Sequence, residues 1–278
     1  MCRMPALAAT FLGLMAGSAL AAESPAPAPA AASAPAQAAT PPPALATPAM
    51  RVEARRLDPL TRAAFWAREL GIDPRDLEAG VGMAQALRQM GRFEEAADTA
   101  GRVLIIAPDN LDALLETARA HIGRGQGFYA IEPARHAQAL APRDWRPVAL
   151  LAVGLEQAGR DGEALTAHLQ ALALAPGEPA VLTNLALYKA THDDLPGAEQ
   201  LLRTAAGSPR ADARVRQNLA LVIGLQGRVA EAEQLVRQDL PPEQAASNIA
   251  WLKAATQGPA VPAGATTRSW DSVRGGGS

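Results

Sequence analysis

Residues 145–178 read WRPVALLAVGLEQAGRDGEALTAHLQALALAPGE, and this stretch decides the fold because its framework recurs along the chain. Its closing proline, Pro176, stands 34 residues after Pro142, which follows Pro108 and Pro74 at the same interval. Proline donates no backbone hydrogen bond and turns the residue before it away from helix, so a proline at fixed spacing marks where a structural unit ends. Two alanine ladders keep the same period: Ala84, Ala118, Ala152, Ala186 and Ala220, and Ala96, Ala130, Ala164, Ala198 and Ala232. Within the quoted stretch Val148, Leu151, Ala152 and Leu155 fall on one helical stripe, the packing face of a first helix. Gly159 then marks a turn, and Ala164 sits on a second helix.

A 34-residue period of two amphipathic segments, small residues inside and proline at the close, resembles the tetratricopeptide repeat, a helix-turn-helix unit. The units begin at Leu77, Leu111, Trp145, Pro179 and Ala213. Alanine at positions 8 and 20 of each unit predicts two helices in close approach, since a larger side chain would hold their axes apart. Gly91, Gly125, Gly159 and Gly227 take position 15, the turn, and Asp193 takes it in the fourth unit. The expected fold class is therefore all-α: a tetratricopeptide-repeat solenoid over 57–257 of about five helix hairpins, with an extra helix at each end.

The flanks read differently. Residues 1–21 carry Arg3, an apolar run from Ala6 to Met15 and Ala19-Leu20-Ala21, the pattern of a secretory signal peptide cleaved near Ala21. The one cysteine, Cys2, precedes the apolar run, so neither a disulfide nor a lipid-bearing cysteine is expected in the mature chain. Residues 22–56, mostly Ala, Pro, Ser and Thr as far as Met50 and then a polar lead-in, read as a disordered tether. Leu60 to Leu70 reads as a second helix whose first helix is missing, acting as an amino-terminal cap. In unit two, Pro133 predicts a second helix that kinks or begins late, after an irregular turn with Phe128 packed beneath it. Unit five stops early at Pro241-Pro242; a capping helix over 242–256 and a disordered tail over 258–278 follow.

Little supports catalysis, a cofactor or a metal. His121, His136, His168 and His192 lie in different units without ligand spacing, and no nucleophile-elbow context surrounds any serine. A net charge of -2 with 4% aromatic residues gives no basic stripe or stacking platform, so nucleic acid is not an expected partner. Protein partners are. First helices line the concave side of such a solenoid, where positions 2, 5, 6, 9 and 12 escape the packing stripe. The candidate groove residues are Arg146, Asn184, Arg214, Gln217, Asn218 and Asn248, with Thr183, Leu187 and Leu221 beside them. Asn184, Asn218 and Asn248 open the echoes Asn-Leu-Ala-Leu, Asn-Leu-Ala-Leu and Asn-Ile-Ala-Trp. An asparagine amide can donate to and accept from a peptide backbone at once, or it can brace a neighbouring turn; the residue inventory leaves both readings open.

Phe65-Trp66-Ala67-Arg68-Glu69-Leu70, the turn Gly125 to Pro133, Asp144-Trp145-Arg146-Pro147, Arg214 to Val222 and Leu240-Pro241-Pro242-Glu243 together resemble the TadD family, tetratricopeptide proteins of tight-adherence (Flp) pilus assembly. The similarity covers residues 60–255. It implies a periplasmic scaffold or adaptor that helps build a type IV-like pilus or its secretin, used in adhesion and biofilm formation. The family is commonly lipid-anchored; without a cysteine after the apolar run, membrane association is left as peripheral contact with the outer membrane. A periplasmic chaperone or adaptor for another envelope process, such as cytochrome maturation, is the alternative.

Overall fold

The first helix of nearly every unit begins where a short polar side chain takes over an orphan backbone donor. In the computed structural model, which describes residues 44–257, Asp76 Oδ1 accepts from Ala79 N (3.0 Å), Asn110 Oδ1 from Ala113 N (2.9 Å), Asp144 Oδ1 from Arg146 N (2.9 Å) and Asp212 Oδ1 from Val215 N (3.2 Å). Each such cap is worth about 1 kcal/mol. The helices they open are α3 (Leu77–Gln89), α5 (Leu111–Gly123), α7 (Trp145–Gln157) and α11 (Ala213–Leu225). The fourth, α9 (Pro179–Thr191), starts instead on Pro179, whose fixed φ and missing N–H suit the first helical position.

Each of these helices ends in a left-handed residue. Gly91, Gly125, Gly159 and Gly227 have φ between 70° and 84°, and Asp193 adopts 63°. Behind them the amide of the next residue reaches back to a carbonyl five residues earlier, as from Arg92 to Leu87 and Arg160 to Leu155, both at 2.9 Å, closing the helix and launching its partner. The partners are α4 (Phe93–Ile106), α6 (Gly127–Leu140), α8 (Asp161–Leu174), α10 (Leu195–Ala206) and α12 (Val229–Val236). All ten ladder alanines have 0% exposure, so the close approach of paired helices is what the alanine spacing predicts. Val148, Leu151, Ala152 and Leu155 are likewise buried.

Five hairpins stack in order, and α13 (Pro242–Gln257) packs on α11 and α12 at the carboxyl end. First helices contact first helices of the next unit all along the stack, from α3 to α5 and on to α13. Successive second helices meet through long side chains, as Arg135 with Glu163 at 3.4 Å and Arg203 with Glu231 at 2.6 Å. The first helices lie side by side along one face of the stack, the side expected to be the inner one in such a solenoid.

Several expectations need correcting. Helix α1 (Pro48–Ala54) lies within the stretch expected to be tether. It precedes α2 (Pro59–Ile72) but does not pack along it as the paired helices of the units pack on each other. Its anchor is Arg51, which pairs with Glu69 (2.9 Å), Asp76 and Glu78 (3.0 Å). Glu69 is fully buried and also takes the Ala46 amide (2.9 Å) and Arg68 (2.8 Å). Composition conceals such a helix because its partners lie 18 to 27 residues away. In unit two, α6 begins at Gly127, in step with the other second helices, and runs through Pro133. Its turn is as regular as the others, and Phe128 is 68% exposed rather than packed beneath it. Glycine is required at 127, where a Cβ would stand 2.5 Å from the Gly154 carbonyl oxygen of α7. The readings for 1–21, most of the tether and 258–278 concern residues outside those described.

Unit five departs from the others in its stripe. Position 4, Val148 in unit three, is Arg216 here, and its guanidinium forms two hydrogen bonds to Asp239 (2.7 and 2.6 Å) across the shortened α12. The hydrogen bonds from Arg216 hold the Asp239 carboxyl below the usual carboxylate range. A carboxyl depressed in the folded state contributes stability that is complete above its unfolded pKa of about 4 and lost as pH falls through the folded value. The end of the stack should therefore loosen on acidification, and Asp239→Asn should flatten that part of the dependence in amide exchange followed from pH 7 downward. An identical acid profile for the variant would remove Asp239 from this role.

Candidate partner-binding face

The inner face is a ladder of first-helix side chains, and its two halves differ. At position 6 the 34-residue step gives Glu116, Leu150, Asn184 and Asn218 in units two to five. Glu116 is 1% exposed and is neutralised by Arg88 (2.7 Å) and Arg119 (2.5 Å), which stand at positions 12 and 9 of their units. Arg146 is bound to Asp144 through Nε (2.9 Å) and a terminal nitrogen (2.5 Å). Burial would raise the Asp144 carboxyl, but hydrogen bonds from the Arg146 side chain and amide, with Arg119 nearby, bring it below the ordinary range. The Arg146 guanidinium is raised in turn, chiefly by its hydrogen bond to Asp144. In this half every charge named has a partner, and Arg146 serves the Asp144 cap as much as the surface.

Units four and five present the opposite case. Asn184, Gln217, Asn218 and Asn248 are half-buried, Arg214 is exposed, and none of these side chains has a protein hydrogen bond or ion pair among the described residues. Beside Asn184, Thr183 Oγ1 is buried with no hydrogen-bond partner. The bracing reading of the asparagines requires a hydrogen bond to a neighbouring turn, and the geometry contains none. Of the sequence candidates, then, five stand on the unpaired half of the face and Arg146 on the paired half. Sequence reasoning missed Glu116, Arg88 and Arg119, although the spacing that singles out Asn184 and Asn218 reaches Glu116 two units earlier.

Between the two halves, residues distant in sequence form a joint. His168 and Tyr188 rings lie 5.2 Å apart, and Tyr188 stacks on His192 at 4.1 Å. The Tyr188 hydroxyl donates to the Asp161 carbonyl (3.1 Å), and burial raises its pKa above the ordinary phenol value. The stack fastens α8 of unit three to α9 of unit four.

No family model and no curated protein matches the chain. Among solved structures, a thermophilic TPR protein of Thermus thermophilus is 19% identical, with a TM-score of 0.56 over 63% of this chain and 96% of that one. A tetratricopeptide repeat protein of Parabacteroides merdae is 13% identical, with a TM-score of 0.62 over 77% and 86%. The chain has the tetratricopeptide-repeat fold. At such identities the likeness carries fold alone; within the solenoid, the ladder of unpartnered amides is a feature of this chain's own side chains.

Proposed function

We propose that this chain is a non-catalytic periplasmic scaffold that takes an extended segment of a partner protein along the inner face of units four and five. We place that task in the assembly of an Flp pilus and its secretin. The observation that carries the binding site is the unpartnered ladder Asn184, Asn218 and Asn248 with Arg214 at its edge. An extended backbone offers an N–H and a C=O at every residue, and each asparagine amide can meet one of each. Arg214 can add a two-pronged contact to a carboxylate on the same segment. The pilus assignment rests on the TadD-like stretches between residues 60 and 255.

Asn184→Ala with Asn218→Ala, and Arg214→Glu separately, test the site. Neither touches the packing stripe, so melting temperatures should match the parent. Surface fibres seen by electron microscopy and heat-stable secretin multimers should be lost or reduced at least tenfold, an effect of the size expected when central interface contacts are removed. Normal fibres with a normal melt would reject the face. A lowered melt of the asparagine pair would restore the bracing reading, and deletion of the gene with intact fibres but failed cytochrome maturation would favour the alternative.

A further inference from the structure

Five copies of one unit in a single chain act as controls for one another; unit four opens its second helix on Asp194, which caps Gly197 N, and unit two is the one with aromatic residues at positions 18 and 19. At positions 16 and 19, units one, three and five carry arginine and glutamate in ion pairs across the start of the second helix: Arg92 with Glu95 (2.5 Å), Arg160 with Glu163 (2.6 Å) and Arg228 with Glu231 (2.9 Å). Unit two has Gln126 and Tyr129 at these places, preceded by Phe128 where unit one has Glu94. Phe128 is 68% and Tyr129 59% exposed. Their rings meet edge to face at 5.6 Å, and Tyr129 also lies 5.6 Å from His121. The sister units fold without aromatic groups at these places, so the pair is not there for packing.

Tyr129 lies against His121, and the charges that act on the His121 ring, Asp98 and Arg124, line a concave surface. An open cleft of about 490 Å³ runs between the turns of units one and two, lined by Phe93, Glu94, Glu95, Asp98 and the arginines 92 and 124. Arg92 is taken up by Glu95, and Arg124 stands 3.6 Å from Glu94. Asp98 and Glu132, the latter one turn beyond Phe128 and exposed, have no cationic partner among the described residues. Burial, with Arg124 adding to it and Asp98 opposing, lowers the His121 pKa, which favours the neutral ring beside Tyr129. Aromatic faces carry negative quadrupole density and attract guanidinium and ammonium groups, most strongly where carboxylates stand nearby.

We propose that Phe128, Tyr129 and the adjoining cleft form a second docking site, separate from the inner face, for an arginine- or lysine-bearing segment of a partner protein. The cationic head would lie over the Tyr129 and Phe128 rings, within reach of Asp98 or Glu132, with its aliphatic stem against the aromatic edge. Fluorescence anisotropy of labelled octa-arginine at low salt, with octa-glutamate as the control, tests this with the described solenoid intact. Octa-arginine should bind and octa-glutamate should not. Phe128→Ala with Tyr129→Ala should weaken octa-arginine by about tenfold without moving the melting temperature, and Asp98→Asn with Glu132→Gln should weaken it comparably. Asn184→Ala with Asn218→Ala should leave it unchanged. The proposal is overturned if the parent does not bind octa-arginine, if octa-glutamate binds as well, or if the aromatic variant binds like the parent. Loss confined to the asparagine variant would put the peptide on the inner face and overturn it too.

Discussion

Ala152→Trp should split the solenoid. Ala152 is fully buried on α7, and α7 touches four other helices: α5, α6, α8 and α9. An indole has no room where two helix backbones are held together by facing alanines, so the axes must separate or the ring must be expelled. Overpacking of this kind costs about 1 to 3 kcal/mol and more where the backbone cannot yield. In a stacked array each unit leans on its neighbours, so damage in the middle removes two interfaces at once. The expected result is a melt several degrees lower that separates into two transitions, with new protease sites between units two and four. Ala152→Gly, which leaves the approach open and costs about 1 kcal/mol in helix propensity, should lower the melt without splitting it. A single unshifted transition for the tryptophan variant would mean that α7 does not pack through this face.

What could be read from the chain follows from which constraints repeat. Positions 8 and 20 must be small in every unit because two backbones meet there, so Ala84 through Ala232 write the fold into the spacing itself. Features that occur once have no such signature. Helix α1 spans the last of the Ala/Pro-rich stretch and the start of the polar lead-in, and what orders it is Arg51 meeting the buried Glu69 of α2 and two further carboxylates, Asp76 and Glu78, at the start of α3. The aromatic pair of unit two looks from its sequence like material for a core, yet the regular Gly125 turn directs it outward. On the inner face, Asn184 and Asn218 were legible as a ladder. Whether their amides were already engaged depends on the turn geometry around them, which no spacing records. Glu116 escaped notice because its rung carries a charge, and a charge on a helix reads as solvated surface until two arginines from neighbouring first-helix positions close over it.

The complementary result is expected at the amino-terminal end, where Trp66→Ala should undo the cap and spare the remainder. Trp66 is 1% exposed and is among the largest side chains so enclosed. Its ring lies against the α3 backbone at Gly82, where a Cβ would stand 2.4 Å from Cε2, and meets Phe65 edge to face at 4.8 Å. The Arg51 guanidinium is 5.9 Å from the ring centroid, so the same side chain supports the clasp that holds α1. Removing a buried tryptophan typically costs about 3 to 5 kcal/mol. Because α2 packs chiefly on α3, that loss falls on one interface at the end of the stack rather than on two in its middle. Limited proteolysis followed by mass spectrometry should show rapid cleavage between residues 44 and 72, while fragments covering units two to five keep the parent's protection. Trp66→Phe, which refills part of the hole, should fall between the two. Gly82→Ala should reproduce the fraying from the opposite side of the contact by displacing the ring. Unchanged cleavage in Trp66→Ala would show that α2 is held by something other than this ring, and loss of protection throughout the chain would show that the cap nucleates the whole array.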